Sequence, residues 1–95
     1  MSIKPGDFVI ATSGKDMGKC FVVLSVENQF LYLCDGKNRN VSNPKKKKVK
    51  HIVFAGAGAE EICTRVCAGE ITNKEIRRAL SGFRDTLTAE NNIIE

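Results

Sequence analysis

The 95-residue sequence has no tryptophan, one tyrosine, one histidine and two prolines. A single histidine, His51, leaves little material for ordinary acid–base or metal catalysis. No apolar run approaches the ~18 residues of a membrane span. The opening Met1-Ser2-Ile3-Lys4-Pro5 holds no apolar stretch of the signal-peptide kind. The expected compartment is therefore the cytoplasm, where thiols stay reduced. The cysteines, Cys20, Cys34, Cys63 and Cys67, contain no C-x-x-C pair. They are expected as small core hydrophobes rather than as zinc ligands or a disulfide framework. Neither cofactor, metal, small-molecule substrate nor membrane partner is expected, and the chain does not read as an enzyme.

Apolar types make up 42% of the chain and charged types 27%, which suits one globular domain rather than a disordered tail. The net charge of +4 is unevenly placed. Residues 1–54 carry 10 Lys/Arg against 4 Asp/Glu, whereas residues 55–95 carry 5 against 7. This asymmetry points toward a polyanion partner.

The first half reads as strands separated by turn signals. Apolar runs occur at Phe8-Val9-Ile10-Ala11, Cys20-Phe21-Val22-Val23-Leu24, Phe30-Leu31-Tyr32-Leu33-Cys34 and Val49 followed by Ile52-Val53-Phe54. Asp35-Gly36 predicts a tight hairpin turn, with a short returning strand over Arg39 to Val41. Glu27-Asn28 is a weaker turn signal. Strands apolar at every position should be covered on both faces, and a small barrel roofed by helices does this economically.

The second half reads as two short helices. Ile62, Cys63, Val66 and Cys67 share one helical face, and Gly69 follows as a stop. Thr72-Asn73-Lys74-Glu75 is a capping box, with Ile71 and Ile76 placed as a hydrophobic staple. Ile76, Ala79, Leu80 and Phe83 then repeat at helical spacing. Arg77, Arg78 and Arg84 suit the negative end of that helix. Residues 85–95 have weak periodicity and are expected as a flexible tail.

Two glycine patterns fail as nucleotide sites. Gly14-Lys15-Asp16-Met17-Gly18-Lys19-Cys20 is one residue short of a phosphate loop and has Cys20 where Ser/Thr is needed. Gly56-Ala57-Gly58 lacks a third small residue, and Glu60 and Glu61 would repel a pyrophosphate, so it reads as a linker. The strongest candidate is Pro44-Lys45-Lys46-Lys47-Lys48-Val49-Lys50-His51. Five lysines in six positions resist mutual packing, so this segment is expected as a lysine-rich loop, solvated or docked on anions. Lysine also guards sheet edges, which is the plain alternative.

Gly6-Asp7-Phe8-Val9-Ile10-Ala11-Thr12-Ser13-Gly14-Lys15-Asp16-Met17-Gly18-Lys19-Cys20-Phe21-Val22-Val23 resembles the KOW motif, which is similar across large-subunit ribosomal proteins and NusG-type transcription elongation factors. The continuation through Asp35-Gly36-Lys37 into Lys50-His51 resembles small bacterial KOW-domain proteins, so the resemblance covers about residues 4–54. Cys20 departs from the motif, where a small residue is commoner. The resemblance implies an SH3-like β-barrel over residues 1–54 that binds RNA, usually ribosomal RNA; the helical periodicity adds a two-helix extension over residues 55–84, packed on the barrel. The fold class expected is mainly β.

The candidate RNA-binding set is Lys15, Lys19, Lys37, Arg39, Lys45, Lys46, Lys47, Lys48, Lys50 and His51. Lys15 and Lys19 are expected beside loop amides that meet phosphate. With few aromatics, the expected readout is of backbone and shape, with Tyr32 stacking on a base only if it faces outward. Two other classes stand beside this one. An SH3-like interaction module would dock ribosomal or transcription proteins. A redox protein would use Cys63 and Cys67, but Cys67 lies near a helix C-terminus, where thiolates are not favoured.

Overall fold

The computed structural model of the chain describes residues 2–94, and the side chains of residues 2–86. Five strands, β1 (Phe8–Ala11), β2 (Cys20–Glu27), β3 (Phe30–Cys34), β4 (Lys45–Lys48) and β5 (Ile52–Gly56), form one antiparallel sheet in the order β4-β3-β2-β1-β5. Two helices follow, α1 (Glu60–Cys67) and α2 (Asn73–Ile94). No helix among the described residues is long and apolar enough to cross a membrane.

The chain enters β1 through a turn that Asp7 closes twice. Its amide donates to the Lys4 carbonyl at 3.1 Å, and its Oδ2 accepts the Lys4 amide at 3.0 Å. β2 and β3 meet through a two-residue turn at Asn28-Gln29, where Glu27 pairs with Phe30 and Asn28 takes φ 56°. Primed hairpin turns need that left-handed conformation, and Asn tolerates it.

β4 and β5 occupy opposite edges of the sheet, yet only a 3-10 turn over Val49–His51 separates them. The four steps from Lys48 to Ile52 span at most about 14 Å. The edges of a flat five-stranded sheet lie about 19 Å apart. The sheet must therefore be rolled. Its ladder stays open between β4 and β5.

Rolling separates two apolar clusters. The inner one holds Val9, Ala11, Phe21, Val23, Leu31, Leu33 and Ile52, with Ile3 at its margin and, among the described residues, no helical one. The outer one joins Phe8, Val22 and Cys34 of the sheet to Val66, Ile71, Ile76 and Leu80 of the helical half. β1 and β2 are thus covered on both faces, as their unbroken apolar runs require. Phe8 stacks on Phe83 of α2 with ring centroids 4.3 Å apart.

The capping box forms as its sequence predicts: the Thr72 amide donates to Glu75 Oε1 at 3.0 Å and the Glu75 amide to Thr72 Oγ1 at 3.2 Å. α1 ends with the Gly69 amide on the Val66 carbonyl and the Glu70 amide on the Arg65 carbonyl, a 6→1 closure of the last turn.

Several local expectations need correction. No strand forms over Arg39 to Val41. The β3–β4 connection runs over residues 35–44, because the Asp35 carboxylate accepts the amides of Lys37 and Arg39 and holds the chain in a turn. Asn73 Oδ1 accepts the Val41 amide at 2.8 Å, which a strand partner would otherwise take. The lysine run is not a loop but β4, and Val49 lies in the 3-10 turn rather than in a strand. Gly56-Ala57-Gly58 is not merely a linker, since a Cβ on Gly58 would collide with the Gly6 carbonyl. Cys34 is buried, but Cys67 is exposed and is not a core thiol. α2 is not short: its backbone is helical to Ile94. The tail expected over residues 85–95 lies, for the side chains beyond Thr86 and for Glu95, outside the described residues.

Candidate nucleic-acid interface

β4 pairs with β3 in the register Leu33↔Lys45, Tyr32↔Lys46, Leu31↔Lys47 and Phe30↔Lys48. Strand alternation then divides four identical residues into two pairs. Lys45 and Lys47 share the inner face with Leu33 and Leu31, and both are half-buried. Lys46 and Lys48 share the outer face with Tyr32 and Phe30, and both are exposed.

The inner pair reaches across the opening of the rolled sheet to the β1–β2 loop. Lys47 Nζ donates to the Ser13 carbonyl at 2.9 Å, and Lys45 Nζ lies 2.6 Å from Asp16 Oδ2. Lys19 Nζ lies 3.5 Å from the other Asp16 oxygen. Asp16 therefore bridges the motif loop and β4. The Lys45 hydrogen bond, more than any other contact, holds its carboxyl below the usual aspartate range.

The loop that carries Lys15 and Lys19 uses its own amides. Met17 donates to the Gly14 carbonyl, Gly18 to Ala11 and Lys19 to Asp16. These three amides are taken within the fold. The loop also offers an anion the exposed side chains of Lys15 and Lys19.

On the outer face Lys46 Nζ sits 4.4 Å from the centroid of the Phe30 ring and 5.9 Å from that of Tyr32. Lys50 lines a depression of about 390 Å³ with Asn28, Gln29, Lys48 and Val49. The Val49 amide on the Gln29 carbonyl, at 2.8 Å, fixes the 3-10 turn against the hairpin there. His51 is half-buried, and its carbonyl accepts the Thr12 amide at 2.9 Å. Lys37 and Arg39 stand apart on the β3–β4 loop, which Arg77 anchors to α2 by donating to the Gly36 carbonyl at 2.6 Å. Gly36 has φ 81°, and a Cβ there would strike the Asn73 carbonyl, so this junction requires glycine.

The structure thus gathers Lys15, Lys19, Lys45 and Lys47 around one loop and sets Lys46 and Lys48 on the adjoining outer face. Sequence reasoning missed three participants. Phe30 was legible from the two-residue alternation of Phe30 and Tyr32 around Leu31 and Leu33. Asp16, the shared counter-charge, has a local partner in Lys19, but its shorter contact is to Lys45, 29 positions away, which no local pattern encodes. Arg84 joins Lys19, Asn38 and Asp35 in lining a second depression, between the loops and α2.

Nothing among the described residues gathers three or more potential metal ligands. Burial, helped by neighbouring Asp35, pushes the Cys34 thiol up to about 12, and burial also raises those of Cys20 and Cys63. Raised thiols are poor nucleophiles. Neither a protein-family model nor a curated protein matches the chain.

Proposed function

We propose that this chain is an RNA-binding protein of the translation machinery, a cytoplasmic KOW-type protein on an SH3-like barrel, without enzymatic activity. The observation that carries the reading is the return of the lysine strand β4 onto the motif loop, through Lys45 to Asp16 and Lys47 to Ser13. Two cationic segments separated by 25 residues are thereby held side by side. The rolled sheet, with its strand-only inner cluster, supports the barrel. Lys15, Lys19, Lys46, Lys48 and Lys50 are exposed, and on this reading they neutralise phosphates and release counterions. Lys37 and Arg39, apart on the β3–β4 loop, supply separate phosphate contacts on this reading, and His51 follows Lys50 at the end of the 3-10 turn. Ribosomal RNA is the partner that the KOW resemblance favours.

The test is binding to a ribosomal RNA fragment across a salt series. Replacing Lys46, Lys48 and Lys50 together by Ala should lower the slope of log K against log salt by about 3, roughly one for each phosphate no longer neutralised. The thermal melt should stay where it was. Binding that ignores both salt and these lysines overturns the reading. Co-sedimentation with ribosomal subunits, released by salt, tests the setting.

A second reading, a protein-docking module for ribosomal or transcription proteins, draws on one observation. Val53 and Phe54 of the edge strand β5 are 49% and 38% exposed. Binding to a purified protein that Val53→Ser abolishes, with no RNA affinity, would favour it.

A further inference from the structure

On the basis of that RNA-binding reading, we propose that the outer face of β3 and β4 is a platform for an unpaired nucleobase, so that the RNA recognised includes a single-stranded segment. This departs from the backbone-and-shape readout expected from the low aromatic content.

Among the described residues, the helical roof covers only part of the outer face. Cys34 belongs to the cluster that Val66, Ile71, Ile76 and Leu80 complete, whereas Phe30 and Tyr32, on the same face of the same strand, do not. Both rings are half-buried. Ser25 and Glu27 flank them on β2, and Lys46 and Lys48 flank them on β4. The two rows across the sheet are Ser25–Tyr32–Lys46 and Glu27–Phe30–Lys48.

This is an aromatic surface with cations along one border and a carboxylate at the other. A duplex hides its base faces and gains nothing from exposed rings. A single strand presents a π-face with every base, and stacking on Phe or Tyr is tolerant of sequence. Glu27 repels phosphate from the β2 border, so the backbone falls on the side of Lys46 and Lys48. The ammonium of Lys46 rests over Phe30, an exposed cation–π contact that is weak. An incoming base replaces it, and the freed ammonium moves to the adjoining phosphate. The depression at Asn28, Gln29, Lys48, Val49 and Lys50 continues the same border, and its two carboxamides can hydrogen-bond the edge of a neighbouring base.

The chain supplies its own probe. Tyr32 is its sole tyrosine and tryptophan is absent, so intrinsic emission reports on Tyr32 alone. A short oligouridine, whose bases neither pair nor stack on one another, should quench that emission as it binds. A short RNA duplex should bind with salt sensitivity but leave the emission unchanged. Phe30→Leu should weaken oligouridine binding about tenfold while duplex affinity holds, and Tyr32→Leu should do the same. Circular dichroism melts confirm that these variants fold, and quenching of the unaltered protein stands independently of them. If oligouridine and duplex bind alike, without quenching and without loss in the folded Phe30→Leu protein, the platform is wrong and the RNA reading survives. If neither RNA binds, the RNA reading fails and takes the platform with it.

Discussion

Tyr32 and Cys34 lie two residues apart on the same face of β3, yet they meet different surroundings. Cys34 is sealed beneath the helices, while Tyr32 is half-open beside Lys46. The same division runs along β4, where Lys45 and Lys47 lie against the closing side of the sheet and Lys46 and Lys48 face solvent. Composition treats each of these sets as uniform. The two-residue period of a strand and the reach of the helical roof make them unequal.

The largest expected effect tests how completely the roof seals its part of the face. At neutral pH a thiol reagent should modify exposed Cys67 in the native protein and leave Cys34 untouched until the chain unfolds. For a domain of ordinary stability that protection is on the order of a thousandfold or more in rate. Peptide mapping by mass spectrometry reads it directly. Rapid native labelling of Cys34 would mean that the roof opens locally and that the contrast with Tyr32 is smaller than the structure shows.

The inner face comes next. Leu33 is fully buried in a cluster that, among the described residues, is built from strands and Ile3. Leu33→Ala should cost about 2–5 kcal/mol in chemical denaturation, because strands tied by ladder hydrogen bonds collapse little into the cavity. Lys47→Ala should cost about 1 kcal/mol, since it removes the ammonium contact to the Ser13 carbonyl and the stem that lies on the Leu31 side of β4. Lys47→Met keeps the stem and should recover part of the loss. Lys46→Ala and Lys48→Ala should each change stability by less than about 0.5 kcal/mol. Equal effects at Lys46 and Lys47 would break the distinction between the two faces.

Much of this architecture is legible in the amino-acid order. The strand runs of β1, β2 and β3, the Thr72–Glu75 cap and the two-face coverage follow from periodicity and cap chemistry, which act over a few residues. The lysine strand is not legible, because lysine has low β-propensity and the run has no apolar alternation. Its conformation is imposed by pairing to β3 and by two contacts with a loop about thirty positions earlier. The missing strand at Arg39 to Val41 has the same origin, a long-range competitor at Asn73 for the Val41 amide. For the site, the cationic residues are visible as types. Their division into structural and solvent-facing lysines depends on register, which no local pattern encodes.

The smallest effect concerns the contact that joins the two lysine-bearing segments. Asp16 is held ionised by Lys45 and Lys19, so its folded-state pKa lies below its unfolded value. A depressed carboxyl contributes stability that is present above the unfolded value, near 3.9, and is lost as pH falls through the lower folded value. Asp16→Asn should therefore lower stability at pH 7 by less than about 1 kcal/mol, as the pair is close to solvent. The melting curves of the two proteins should converge at acid pH, below the folded value. Removing the carboxylate also releases Lys19 and Lys45 from their internal partner. On the RNA-binding reading, Asp16→Asn should then steepen the salt dependence of RNA affinity, even as it slightly weakens the fold. A variant that loses affinity instead would show that Asp16 serves to position these lysines rather than to compete for them, and the inner pair would then belong to the binding surface after all.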